Sequence, residues 1–101
     1  MLQVEFINAG HGNLISAHRV IAIVDTKSNP LKRLIDDAEE QGKLINISHG
    51  RKWRSAIIFD SNHVVLSSIS PETLGGRMDS VRQELEERNL IAKKTAPESD
   101  E

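Results

Sequence analysis

Few side chains in this chain have reactive potential, and most of them are not spaced for a shared task. Histidine occurs four times, as His11, His18, His49 and His63, and cysteine is absent. Zinc sites need Cys or His ligands at converging spacings, and these four match no such motif. Three of them fall in or beside expected turns, where a histidine is ordinary, so no metal site is expected. Gly10-His11-Gly12-Asn13 has the look of a phosphate-cradling loop. It lacks the third glycine of a dinucleotide fingerprint and the Gly-Lys-Ser/Thr of a P-loop. A turn is the better reading, and no cofactor is expected. The carboxylates Asp36-Asp37 and Glu39-Glu40 read as the outer face of a surface helix, whereas acid–base catalysis wants carboxylates in a cleft that shifts their pKa. No serine stands at a recognisable nucleophile elbow. The chain reads as a non-enzyme.

One cluster stands apart. In Gly50-Arg51-Lys52-Trp53-Arg54, the glycine lets the chain reverse and three cations follow within four residues. Cations at a hairpin tip reach outward at little cost to the fold. Trp53 is the only tryptophan; beside arginine it can stack on a base or sugar, or pack inward on a strand. The plain alternative is a solvated tip that keeps the protein soluble, and composition alone weighs the two equally. The net charge of −2 does not decide between them. Residues 1–70 hold eight Lys/Arg against seven Asp/Glu, and residues 71–101 hold five against eight, so the acidity sits in the C-terminal segment. A phosphate responds to the local patch within a Debye length of about 8–10 Å.

The elements that must carry this cluster are legible from periodicity and turn residues. Gln3 to Ile7 reads as a first strand, Asn8 to Asn13 as a turn, and Leu14 to Val24 as an extended run. Ser28 or Asn29 can cap a helix whose first turn holds Pro30. Leu31, Leu34, Ile35 and Ala38 then recur at helical spacing up to the stop at Gly42. This predicts an amphipathic helix over about 30–41. Leu44–Ile47 and Trp53–Phe59, joined through Gly50, read as a β-hairpin. Asp60-Ser61-Asn62-His63 turns into Val64–Ile69, and Ser70-Pro71 opens a C-terminal helix weakened by Gly75-Gly76. The order ββαβββα makes this an α+β domain, a small antiparallel sheet with helices packed on it. Val20–Val24, Ala56–Phe59 and Val64–Leu66 are apolar on both strand faces. Either both helices flank the sheet, or a second subunit covers one face. The pattern tips only slightly toward the oligomer.

Several segments taken together are more specific than any alone. They are Phe6-Ile7-Asn8…Gly10-His11-Gly12-Asn13, Ser16-Ala17-His18-Arg19, Pro30–Ile35, Gly50–Arg54, Asp60-Ser61-Asn62-His63-Val64…Leu66-Ser67 and Pro71-Glu72-Thr73. In this order they resemble the RemA family of bacterial extracellular matrix regulatory proteins, over roughly residues 2–78. The resemblance implies a DNA-binding transcriptional regulator of biofilm-matrix and osmoprotection genes. It also implies a ring-like homo-oligomer whose subunit is similar to the LytTR-type DNA-binding domain. The family's DNA-contacting positions match Arg19, Arg51 and Lys52, and Arg54 matches a further basic position. Three departures stand out. The second turn cation, typically arginine, is Lys52, which keeps the charge without the bidentate fork. Trp53 replaces a smaller polar residue, and His11 stands at an aromatic position.

The expected organisation is therefore a RemA-like DNA-binding domain over residues 1–78, a helical extension over 79–94 and a disordered tail over 95–101. The expected partners are double-stranded DNA and further copies of the chain. The runner-up reading is an oligomeric scaffold that binds a protein partner. Met1–Glu5 lacks the basic-then-apolar build of a signal peptide, and the longest apolar run is the five residues Val20–Val24. No membrane partner is expected, and the cytoplasm is the expected location.

Overall fold

The structure is a computed structural model that describes residues 5–95, with the side chains of 5–88. The chain runs β1 (Phe6–Asn8), β2 (Leu14–Ser16), a 3₁₀ turn (Ala17–Arg19), β3 (Val20–Asp25), α1 (Asn29–Glu40), β4 (Leu44–Asn46), β5 (Ser55–Phe59), β6 (Val64–Ser67) and α2 (Pro71–Thr95). The class is α+β. The 3₁₀ turn divides the run expected to extend from Leu14 to Val24, so three strands rather than two precede α1. β1 and β2 form a separate two-stranded hairpin, and the main sheet has the order β3-β5-β6-β4.

That order corrects the expected hairpin around Gly50. β4 and β5 do not pair. β6 lies between them, antiparallel to β5 and parallel to β4. All four residues of β6 are buried, whereas Ile45 and Asn46 of β4 are exposed. The fully buried strand therefore takes an inner place, and the short, half-wet one takes an edge. The sheet is mixed rather than purely antiparallel.

Both faces of the sheet are covered by this one chain. Ala56, Val64 and Leu66 point to α1 and pack on Leu31 and Ala38. Ile57 and Val65 point the other way, onto Ile7, Ala9 and Ile15 of the β1–β2 hairpin and onto Leu74 of α2. Strand alternation sends successive residues to opposite cores, which accounts for the continuous apolar runs without a second subunit. The exception is β3, an edge strand. Its register with β5 slips between Val20 and Ala22, leaving Ile21 as a bulge that is 65% exposed.

The helices follow local chemistry. Ser28 sits at the cap position of α1 without a side-chain cap bond, and Pro30 lies in the first turn. At the other end Gly42 adopts φ +70°, with Lys43 N–H on the Ala38 carbonyl at 2.8 Å and Gly42 N–H on that of Glu39 at 3.1 Å. This is a Schellman closure. Gly75 and Gly76 do not interrupt α2, because Leu74 is anchored in the core and Met78 and Val81 pack against it. Two ties beyond the glycines hold the helix down: Arg77 donates to the Asn8 carbonyl, and Arg88 pairs with Glu5 at 2.9 Å. α2 passes without a break through the expected boundary at residue 78 and includes residues 93–95, which were expected in or beside the tail. The remainder of that tail lies outside the described residues.

Candidate nucleic-acid interface

The end of the sheet where β5 begins and β6 finishes is built around two buried hydroxyls. Ser55 and Ser67 have no exposed surface, and a buried hydroxyl must be hydrogen-bonded. Ser55 Oγ donates to the Ile69 carbonyl at 2.8 Å. Ser67 Oγ donates to the Ala9 carbonyl at 2.7 Å and accepts Ile69 N–H at 3.0 Å. These bonds fasten the tip of the β1–β2 hairpin to the sheet. Within the tip, Asn8 Oδ1 accepts Gly10 N–H at 2.7 Å, and Ala9 N–H reaches the Asn13 carbonyl at 2.8 Å. Gly10 has φ +113°, and a Cβ there would lie 3.1 Å from the Ile69 side chain. The positive φ favours glycine, and a side chain there would also press on Ile69. His11 is thereby held outward at φ +54°.

Residues 47–54 arch over the same end. Ile47 N–H bonds the Leu66 carbonyl at 2.9 Å and Arg54 N–H bonds that of Ser67 at 2.8 Å, so both feet of the arch stand on β6. Asn46 Oδ1 accepts Ser48 N–H at 2.9 Å and Ser48 Oγ at 2.6 Å. The Ser48 carbonyl then takes Arg51 N–H at 3.0 Å across His49 (φ +59°) and Gly50 (φ +80°). Positive φ at both central residues is the pattern of a type I′ turn. The His49 ring stacks on that of His11, with centroids 4.8 Å apart and 21° between planes.

On this fixed frame Arg51, Lys52 and Arg54 are all exposed. Their side chains make no hydrogen bond or ion pair with other described residues. With His11, Ser68 and Ile69 they line a shallow cleft of about 430 Å³. The expected basic turn therefore exists, carried by an arch rather than a hairpin tip. Trp53 lies in the arch and not on a strand, and it is 40% exposed.

Arg19 is elsewhere. It immediately precedes β3, whose Val20 faces Phe59, while Asp25 at the far end faces Ser55. Within one chain it is thus separated from Arg54 by the length of β5, about 20 Å at 3.4 Å per residue. Its Nε donates to both carboxylate oxygens of Asp60 at 2.9 Å, and Asp60 N–H returns a bond to the Arg19 carbonyl at 3.0 Å. Nothing local to Arg19 announces this partner, 41 residues away. The His11–His49 stack and the two buried serines were likewise not read from sequence, because each is assembled across distant segments.

Among the described residues, no group of three or more His, Cys, Asp or Glu is placed to hold a metal ion. His63 instead contacts Ser61 Oγ through Nδ1 at 2.6 Å. Among those residues no helix is long and apolar enough to cross a membrane. What the fold and the arch define is a small α+β module that displays, on a hydrogen-bonded turn, cations unpaired among the described residues.

The chain belongs to the RemA-like family: the model for "Extracellular matrix regulatory protein A-like" proteins matches residues 6–78. Relatives whose names class them as regulatory proteins include one from Geobacillus sp. strain WCH70, 53% identical over 74% of this chain and 86% of its own. Another, from Pseudothermotoga lettingae, is 54% identical over 80% of this chain and 89% of its own. A third, from Carboxydothermus hydrogenoformans, is 44% identical over 88% of this chain and the whole of its own. The family match ends at Met78, within the fourth residue after the anchoring Leu74, while α2 continues to Thr95.

Proposed function

We propose that this protein is a non-enzymatic transcriptional regulator that binds duplex DNA through its basic arch. The carrying observation is the set of three exposed cations, Arg51, Lys52 and Arg54, without hydrogen-bond or ion-pair partners among the described residues, on a turn pinned by the Arg51 and Arg54 backbone bonds. A preformed turn loses little freedom on binding, and unpaired cations suit phosphate oxygens. Such contacts position a protein on DNA without reading its sequence. One arch offers three of them, too few for tight binding alone, and Arg19 lies at the other end of the sheet. Several copies bound along one duplex multiply the contacts and bring Arg19 into the footprint. The reading therefore includes a ring-like homo-oligomer whose subunit is akin to the LytTR-type domain. The regulated genes are those of the biofilm matrix, in keeping with the family's description.

Self-association is supported by apolar surface. Phe6, Leu14, Ile21 and Ile45 are each more than 45% exposed. Leu14 and Ile45 border a groove of about 450 Å³ floored by Ile47, Phe59 and Val65. Clustered apolar exposure of this kind marks a contact surface. The test combines light scattering with mobility shift of random genomic duplexes over a salt series. A monomer at micromolar concentration would remove the ring, and binding indifferent to salt would remove the phosphate contacts.

A further inference from the structure

The basic arch has a second side, and there the sole tryptophan faces a different cleft. The Trp53 carbonyl accepts Thr26 Oγ1 at 3.1 Å, and the Arg54 carbonyl accepts Thr26 N–H at 3.5 Å. The backbone beneath the indole is thus tied to the turn after β3. The indole, 40% exposed, opens on a cleft of about 460 Å³ between that turn, the arch and the start of α2. This volume lies within the roughly 300–1,000 Å³ of small-molecule sites.

The lining has a distinct chemistry. Lys27, Lys52 and Arg54 border the cleft, and none of their side chains bonds another described residue. Two carboxylates share it with unequal freedom. Asp25 Oδ1 is engaged by Lys27 N–H at 2.8 Å, whereas the Glu72 carboxylate has no partner among the described residues. At the start of α2, Ser70 Oγ accepts Thr73 N–H at 3.3 Å. What remains is a flat π-surface, three cations and the wholly open carboxylate of Glu72, with one oxygen of Asp25 beside it. An aromatic base stacks on an indole. Phosphates pair with Lys and Arg. A carboxylate only accepts hydrogen bonds, and so favours a base edge carrying two adjacent N–H donors, as guanine has, over one with a ring acceptor beside its amino group.

We propose that this cleft binds a free guanine nucleotide, its base on Trp53 against Glu72 and its phosphates on Lys27, Lys52 and Arg54. Lys52 and Arg54 also line the cleft on the DNA side of the arch, so occupancy draws cations away from the duplex and weakens DNA binding. The nucleotide site itself stands without the DNA reading, and its first test contains no DNA.

Trp53 is its own reporter, because no other tryptophan is present. Titrating the full chain with guanosine diphosphate to about 1 mM, a weak-ligand range, should quench its fluorescence saturably. By calorimetry Lys27→Ala should weaken binding about three- to tenfold, the scale of one exposed charge-assisted contact. Glu72→Gln should erase the preference for guanosine over adenosine diphosphate. The proposal is overturned if no saturable quench appears, or if pyrophosphate binds as tightly as the nucleotide, which would make the cleft a bare anion patch.

Discussion

Replacing Asp60 with asparagine should make this protein bind DNA more tightly. Arg19 is offered to phosphate only in competition with the carboxylate that holds its Nε at 2.9 Å through both oxygens. The side chains are 63% and 47% exposed, so the pair is worth about 0.2–1 kcal/mol after solvent screening, near the roughly 1 kcal/mol of two charges in contact in water. Removing the carboxylate leaves the Asp60 N–H bond to the Arg19 carbonyl in place, since it is made by backbone. Stability should therefore fall by no more than about 1 kcal/mol. Each engaged copy should gain up to about 1 kcal/mol, or roughly fivefold, and two copies on one duplex about twenty-fivefold at low salt. The slope of log K against log salt should steepen by about 0.9 unit per engaged copy. Mobility shift from about 50 to 200 mM salt reads both quantities. Arg19→Ala and the double variant Arg19→Ala/Asp60→Asn should bind alike. If Asp60→Asn improves binding equally without Arg19, the gain is general charge removal, and Arg19 is no phosphate ligand.

Arg51→Ala should abolish specific binding while leaving fold and assembly intact, because its exposed side chain makes no hydrogen bond or ion pair with another described residue. A variant that binds like the parent in the same mobility shift would make the arch a solubilising loop. Lys52→Arg should hold or raise affinity by restoring a planar fork for phosphate, and a loss above about threefold would place Lys52 in a pocket shaped for an ammonium. Ser67→Ala should cost about 1–3 kcal/mol in urea unfolding, because the Ala9 carbonyl and Ile69 N–H both lose their partner. An unchanged midpoint would mean that the hairpin tip is not held through that hydroxyl.

Local chemistry made much of this molecule readable from its residues. Leu31 and Ala38 at helical spacing, with Gly42 behind them, mark α1 to within a residue at each end. The Asp60–His63 turn marks the β5–β6 hairpin, closed by Asn62 N–H on the Phe59 carbonyl. What stayed hidden is decided at a distance. Leu44–Ile47 and Trp53–Phe59 both read as strands, but which strand each one pairs with depends on β6, which follows both and buries every residue. The 3₁₀ turn at Ala17–Arg19 has no glycine or proline to announce it; Ala17 N–H is captured there by the Glu5 carbonyl at 2.9 Å. Gly75-Gly76 read as a flaw in α2, although Leu74 before them and Met78 after them both reach the core. The cations of the arch were readable as a cluster. Their separation from Arg19 was not, because it follows from the antiparallel register of β3 on β5.

The interleaving of β6 has a kinetic consequence. As the chain leaves the ribosome, β4, the arch and β5 all emerge before the strand on which both feet of the arch stand. Until β6 inserts between them, Ile47 and Arg54 lack their backbone acceptors and the cations ride on an unshaped tether. On the proposed reading, competence to bind DNA would arrive with the last strand of the sheet, and an incompletely folded copy would be excluded from an assembly that depends on the arch. A parallel β4–β6 pairing that looks topologically costly thus makes the shape of the arch depend on completion of the sheet.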